Sequence, residues 1–174
     1  MAQYFIGIGL PPNEDKLFSL IKQHFHHNGK LSSTPHITLA PPFELEDENE
    51  FLENFISWAK KEKAFIIKVK TVDKFIQPKY GTVYLAPIND KYLQELYASL
   101  IKRFNLLSDQ GSFIPHLTVA QRVPLRRLNE IEDQIRKMDL SLKLKVKQLN
   151  LYKKEVGQCW KKFAEVRLKE GRIN

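Results

Sequence analysis

The sequence contains a single cysteine, Cys159, among 174 residues, so an intramolecular disulfide is impossible. Nothing around Cys159 marks a catalytic thiol, and a small buried hydrophobe is its expected role. Low cysteine usage fits a reducing compartment. The start, Met1-Ala2-Gln3-Tyr4, lacks the basic and apolar regions of a signal peptide. No apolar run approaches the roughly 18 residues needed to cross a bilayer. Cytoplasmic localisation, with no membrane association, is therefore expected. Low-complexity segments and long linkers are also missing, which argues against independent domains in tandem. Negative charge is in short supply: 20 Asp and Glu stand against 28 Lys and Arg, for a net charge of +8. That balance favours anionic partners such as RNA, nucleotides or phosphate esters.

Other features are ordinary or plentiful. Hydrophobic residues make up 43% of the chain, enough for a packed core rather than disorder. The charge is uneven, with an acidic stretch over Glu44–Glu53 and a basic chain from Arg122 onward. Lys143, Lys145 and Lys147 alternate with Leu142, Leu144 and Val146, as expected of a strand with one buried and one cationic face.

One pattern occurs twice. Pro35-His36-Ile37-Thr38 is matched by Pro115-His116-Leu117-Thr118, 80 residues later. In a strand, residues two apart emerge on the same face, so each copy presents an imidazole and a hydroxyl together. The surrounding chain repeats as well. Strands are expected over Tyr4–Leu10, around His36, over Phe65–Phe75, Thr82–Ala86, around His116, over Leu140–Leu151 and over Trp160–Leu168. Helices are expected over Asn13 to about His27, ended by Asn28-Gly29, and over Asp47–Lys61, Asp90–Phe104 and Pro124–Met138. The order is β-α-β-α-β twice, with one further strand. Tyr4 precedes His36 by 32 residues and Tyr84 precedes His116 by 32, which favours two equivalent halves.

The expected fold is α+β: two pseudo-symmetric lobes of small, mainly antiparallel sheets with outer helices, around a central cleft that carries both motifs. It is read as one bilobal domain over residues 1–174, with approximate repeats 1–80 and 81–174, acting as a monomer.

The paired residues suit chemistry on a ribose 2′,3′-cyclic phosphate. Water must lose a proton as it attacks phosphorus, and the departing ester oxygen must gain one. Histidine, with an unperturbed pKa of about 6.5, can perform either task near neutrality. Threonine hydroxyls can donate to the non-bridging oxygens. The candidate catalytic residues are thus His36 and His116, with Thr38 and Thr118 as phosphate ligands. No carboxylate-rich site accompanies either motif, so no metal or other cofactor is expected. If the second motif strand stays regular, Arg122 shares the face of His116 and Thr118 and can reach the phosphate, while Gln121 points away. Tyr4, Phe43, Tyr80 and Tyr84 are candidates for base stacking, with packing as the simpler role of each. His24, His26 and His27 sit at a helix C-terminus, where they suit the helix dipole, and are not read as metal ligands.

The motifs His36-Ile37-Thr38-Leu39 and His116-Leu117-Thr118-Val119 resemble those of the 2H phosphoesterase superfamily. That group includes the 2′-5′ RNA ligase-like and 2′,3′-cyclic nucleotide phosphodiesterase proteins. Pro41-Pro42-Phe43 and the duplicated β/α order extend the likeness over almost the whole chain. The resemblance implies metal-independent cyclic phosphodiesterase chemistry in a central cleft, with one histidine as general base and the other as general acid. The implied substrate is an RNA end or a small cyclic nucleotide. Reversible 2′-5′ RNA ligation and nucleotide binding without turnover are the alternatives. Many ligase-like members carry an arginine five residues after the second histidine; this sequence has Gln121 there, followed by Arg122.

Overall fold

The computed structural model describes residues 2–26, 33–89, 91–106 and 113–170. Twelve elements follow one another: β1 (Gln3–Gly9), α1 (Pro12–Phe25), β2 (His36–Phe43), α2 (Glu48–Ala59), β3 (Phe65–Ile76), β4 (Tyr80–Pro87), α3 (Lys91–Phe104), β5 (Leu117–Pro124), α4 (Leu125–Lys137), β6 (Leu142–Val146), β7 (Gln148–Lys154) and β8 (Lys161–Arg167). The expected stop of the first helix at Asn28-Gly29, with His27, lies outside the described residues. Helix starts follow local chemistry. Pro12 opens α1 at a position where a missing N–H costs nothing. The Asp47 carboxylate caps α2 by accepting from the N–H groups of Asn49 (2.8 Å) and Glu50 (3.0 Å).

The eight strands form one sheet in the order β6-β3-β4-β5-β2-β1-β7-β8, with every pairing antiparallel. Two separate small sheets were expected. Instead, two four-stranded halves are joined at the sheet centre through one registered pair, Ile37 with Leu117. The halves of the sheet are not the halves of the chain. β3, from the first chain half, lies beside β4, while β7, from the second, lies beside β1. Helices cross the junction too: α1, which follows β1, packs on β5, and α3, which follows β4, packs on β2.

The expected single strand over Leu140–Leu151 is two strands. β6 pairs with β3 and β7 with β1, near opposite ends of the sheet, with only Lys147 between them. The ends therefore approach each other. The Leu168 N–H donates to the Lys147 carbonyl, and the Ala64 N–H to that of Lys169, both at 2.8 Å. The lysines of β6 face outward as expected, while Leu142, Leu144 and Val146 are buried.

One continuous core fills the interior, from Tyr4 and Ile6 on β1 to Leu149 and Leu151 on β7. Phe51, Phe55, Trp58 and Phe104 pack α2 against α3. The Trp58 indole donates to Ser99 Oγ (3.0 Å), which donates in turn to Glu62 (2.9 Å). Glu132 on α4 is buried because it holds two cations, Lys74 of β3 (2.5 Å) and Arg136 (2.6 Å). Cys159, expected in the core, is exposed in the connection from β7 to β8. Among the described residues no helix is long and apolar enough to cross a membrane.

Candidate active site

The junction between the sheet halves positions the two motifs. In an antiparallel register centred on Ile37 and Leu117, His36 lies across from Thr118, and Thr38 across from His116. Alternation sends Ile37, Leu39, Leu117 and Val119 into the core, each at most 1% exposed, and turns the two His-Thr pairs to the opposite face. Burial on one face thereby fixes the register on the other.

Each imidazole is held in the same way. His36 Nδ1 lies 2.7 Å from the carbonyl oxygen of Thr34, and His116 Nδ1 lies 2.8 Å from that of Ile114. A carbonyl only accepts, so both Nδ1 atoms carry the proton and both Nε2 atoms keep a lone pair for chemistry. A pair of stacked aromatic rings flanks each histidine. Phe5 stacks on Tyr152 (4.4 Å) beside His36, and Phe75 stacks on Tyr84 (4.3 Å) beside His116. The Tyr152 phenol accepts from Asn150 Nδ2 (3.2 Å) and also hydrogen-bonds the Thr34 side chain, which braces the loop whose carbonyl holds His36.

The two flanks are alike in outcome but built from different positions. Gly7 pairs with Thr38 in the first half, and Tyr84 pairs with Thr118 in the second. Gly7 and Tyr84 are thus equivalent, and the equal 32-residue spacing of Tyr4 and Tyr84 from the histidines does not mark equivalent residues. Tyr84 covers His116 directly. Gly7 has no side chain, and the Phe5 ring fills that space, lying 3.2 Å from where a Cβ would stand. Of the candidate stacking residues, Tyr4 and Tyr84 are buried core, Phe43 packs against Tyr4 and Phe51, and Tyr80 is exposed.

Burial governs the proton affinities. It pushes His36 down to about 4, assisted by the charges of Lys22 and His116 and opposed by the Thr34 carbonyl. Burial also lowers His116, against the opposing pull of the Ile114 carbonyl. The free protein therefore holds both imidazoles neutral at pH 7.

A cavity of about 210 Å³ opens here, lined among others by His36, Thr38, Thr118, Gln121, Lys22 and Trp160. His116 is not in its lining, although its charge is felt at His36. The expected parity beyond Thr118 breaks. The β4–β5 register slips between Gly81 and Val83, and Arg122 adopts a positive φ of 56°. The other slip, between Val83 and Tyr84, leaves Val119 and Ala120 both buried, so the alternation flips before Gln121: Gln121 lines the cavity and Arg122 is exposed. Phe5, Lys22, Ser33, Pro42 and Trp160 also line the cavity, and sequence reasoning singled out none of them as a site residue. Lys22 was hidden because a lysine on an amphipathic helix reads as surface. Trp160, expected as the first residue of the last strand, lies just before β8; its indole meets Phe5 edge-on at 4.7 Å, with the Lys154 ammonium 4.8 Å above it.

Residues 11–158 match the model of the 2′-5′ RNA ligase superfamily. Among curated relatives, “Putative phosphoesterase BH1439” of Halalkalibacterium halodurans is 32% identical over 98 residues, 55% of this chain and 57% of that protein. “Putative phosphoesterase Bcer98_0945” of Bacillus cytotoxicus is 26% identical over 160 residues, 89% of this chain and 91% of that protein. Among solved structures, E. coli LigT complexed with 3′-AMP superposes with a TM-score of 0.67 at 14% identity, covering 95% of this chain and 97% of LigT. TT0787 of Thermus thermophilus gives 0.65 at 16% identity, covering 98% and 100%. These structures share the fold, while the family match spans most of the sequence and both His-x-Thr motifs. The chain belongs to the 2′-5′ RNA ligase superfamily, the two-histidine phosphoesterases.

Proposed function

We propose that this protein hydrolyses the 2′,3′-cyclic phosphate of RNA ends or small cyclic nucleotides, with His36 and His116 as the general acid–base pair. The observation that carries this reading is the matched tethering of the two imidazoles. Each gives its Nδ1 proton to a carbonyl two residues upstream, leaving Nε2 as the reactive nitrogen. One histidine removes a proton from water as its oxygen bonds to phosphorus. The other donates a proton to the ribose oxygen as that P–O bond breaks, and a phosphomonoester results. Thr38 and Thr118 donate to the non-bridging oxygens, where charge accumulates. Phe5 and Trp160 offer an apolar wall for the nucleoside.

With both histidines neutral in the free protein, the anionic substrate itself favours protonation of one of them, which readies the acid. The test is hydrolysis of a short RNA ending in 2′,3′-cyclic phosphate, with EDTA present. The expected result is conversion to a phosphomonoester by the wild type, and none by His36→Ala or His116→Ala variants of unchanged circular dichroism. Full turnover by either variant would overturn the two-histidine reading.

A further inference from the structure

Three polar or charged side chains are buried among the described residues: Lys22, Glu132 and Asn150. Glu132 is matched by two cations, and Asn150 donates to Tyr152. Lys22 is different. It sits on α1 between the buried Phe18, Ile21 and Phe25, and is only 3% exposed. Its Nζ has a long contact with the Ser33 carbonyl at 3.4 Å, and no carboxylate among the described residues lies within ion-pair distance. A buried ammonium without a counter-charge is strongly unfavourable, and a methionine would fill much the same volume without that cost. What the position adds beyond packing is a charge at the cavity, whose lining includes Lys22 together with His36, Thr38 and Thr118 and, among the described residues, contains no acidic residue.

We propose that Lys22 is a phosphate ligand of this site: its ammonium donates to a non-bridging oxygen of the same phosphate that Thr38 and Thr118 hold. The inference rests on the hydrolase reading for the substrate class. Three observations support it. Lys22, Thr38, Thr118 and Gln121 at the cavity can all donate, as an oxyanion requires. From the second motif strand the cavity receives Thr118 and the neutral amide of Gln121, so among its described lining residues Lys22, on a helix, is the one lysine or arginine. The buried Lys22 ammonium also lowers the proton affinity of His36, which places the two side chains in one electrostatic neighbourhood. A bound phosphate diminishes that penalty by neutralising the lysine. The same anion that Lys22 binds therefore assists protonation at His36.

The experiment is a titration of the protein with inorganic phosphate and with a nucleoside 2′-monophosphate. It is followed by NMR of lysines labelled at Cε in the wild type, which needs no variant. One lysine, titrating below the others because it is buried, is expected to shift upward on ligand addition. Lys22→Met is expected to weaken phosphate binding tenfold or more and to raise the His36 titration point without ligand; Lys22→Arg is expected to restore much of the binding. A wild type with no phosphate-responsive lysine, or a folded Lys22→Met that binds phosphate as tightly as wild type, would overturn the assignment. Binding is read without turnover, so the two readings fail separately. Phosphate bound through Lys22 with no cyclic phosphate cleaved removes only the hydrolase. Cleavage by Lys22→Met at wild-type kcat/KM removes only the lysine.

Discussion

Ile37 pairs with Leu117 at the rung that joins the two halves of the sheet, and both side chains are fully buried. Neither reaches the cavity, yet together they set the distance between the two motifs. Ile37→Ala or Leu117→Ala should cost roughly 2–5 kcal/mol in urea unfolding, the range for emptying a packed core position. Each should also lower kcat/KM through misalignment of the flanking His-Thr pairs. Unaltered kcat/KM in a destabilised variant would show that the site does not depend on this rung.

The crosswise register sets Thr38 opposite His116 and Thr118 opposite His36, so the two threonines should matter alike. Thr38→Val and Thr118→Val each delete one donor while keeping shape. Each is expected to reduce turnover of an RNA cyclic phosphate on the order of 10²-fold, the usual effect of removing one oxyanion donor. A large loss for one variant and none for the other would mean that a single threonine holds the phosphate.

Acid should bear on both activity and stability. With His36 titrating at about 4 and His116 below its ordinary value, kcat/KM should follow a bell with its optimum between pH 4 and 6.5. The stability consequence follows from the same shift. The unfolded chain binds a proton at position 36 near pH 6.5, whereas the folded one does so near 4. Stability from keeping His36 neutral is complete above pH 6.5 and lost as the pH falls towards 4, by at most about 3 kcal/mol. His36→Gln should flatten that part of the profile in urea unfolding at stepped pH; an unchanged slope would place the acid sensitivity elsewhere.

Gly81 is required by Leu128. A Cβ at position 81 would stand 2.4 and 2.5 Å from the two Leu128 methyl carbons, where α4 rests on β4. Gly81→Ala should destabilise by about 1–3 kcal/mol, as overpacking does. Most of that cost should vanish in a Leu128→Ala background, and a double-mutant cycle measures the difference. Equal costs in both backgrounds would point to the backbone rather than the clash.

Much of the fold was legible because its signals are local. The helical spacing of Phe51, Phe55 and Ala59 and each His-x-Thr act within a turn or a few residues. The motif pairs stand out because binding alone does not need titratable groups at matched positions. What stayed hidden depends on partners far along the chain. The crossing of β3 and β7 into opposite halves of the sheet is set by pairing, and Gly7 acquires its role only from Phe5 bending over it. The irregularity at Val119 and Ala120, both buried, changes which side chain meets the cavity, and a regular alternation cannot anticipate it. Lys22 was invisible because a lysine reads as solvent-exposed until its surroundings are seen. One miss was available: buried residues run Leu142, Leu144, Val146 and then Leu149, Leu151, and that change of parity marks the break at Lys147.

The interleaving of the strands has a consequence for biosynthesis. β1 is made before the other strands, but its second neighbour, β7, spans Gln148–Lys154, so one edge of the earliest strand stays open until most of the chain has been translated. A nascent chain of the first half holds β3 without its neighbours β4 and β6, and β1 without β7. Neither half of the sheet can be completed from the first half of the chain, since one awaits β6 and the other β7 and β8. Completion of the sheet is then a late event, and an exposed β1 edge is the segment most in need of protection from a neighbouring chain until β7 arrives.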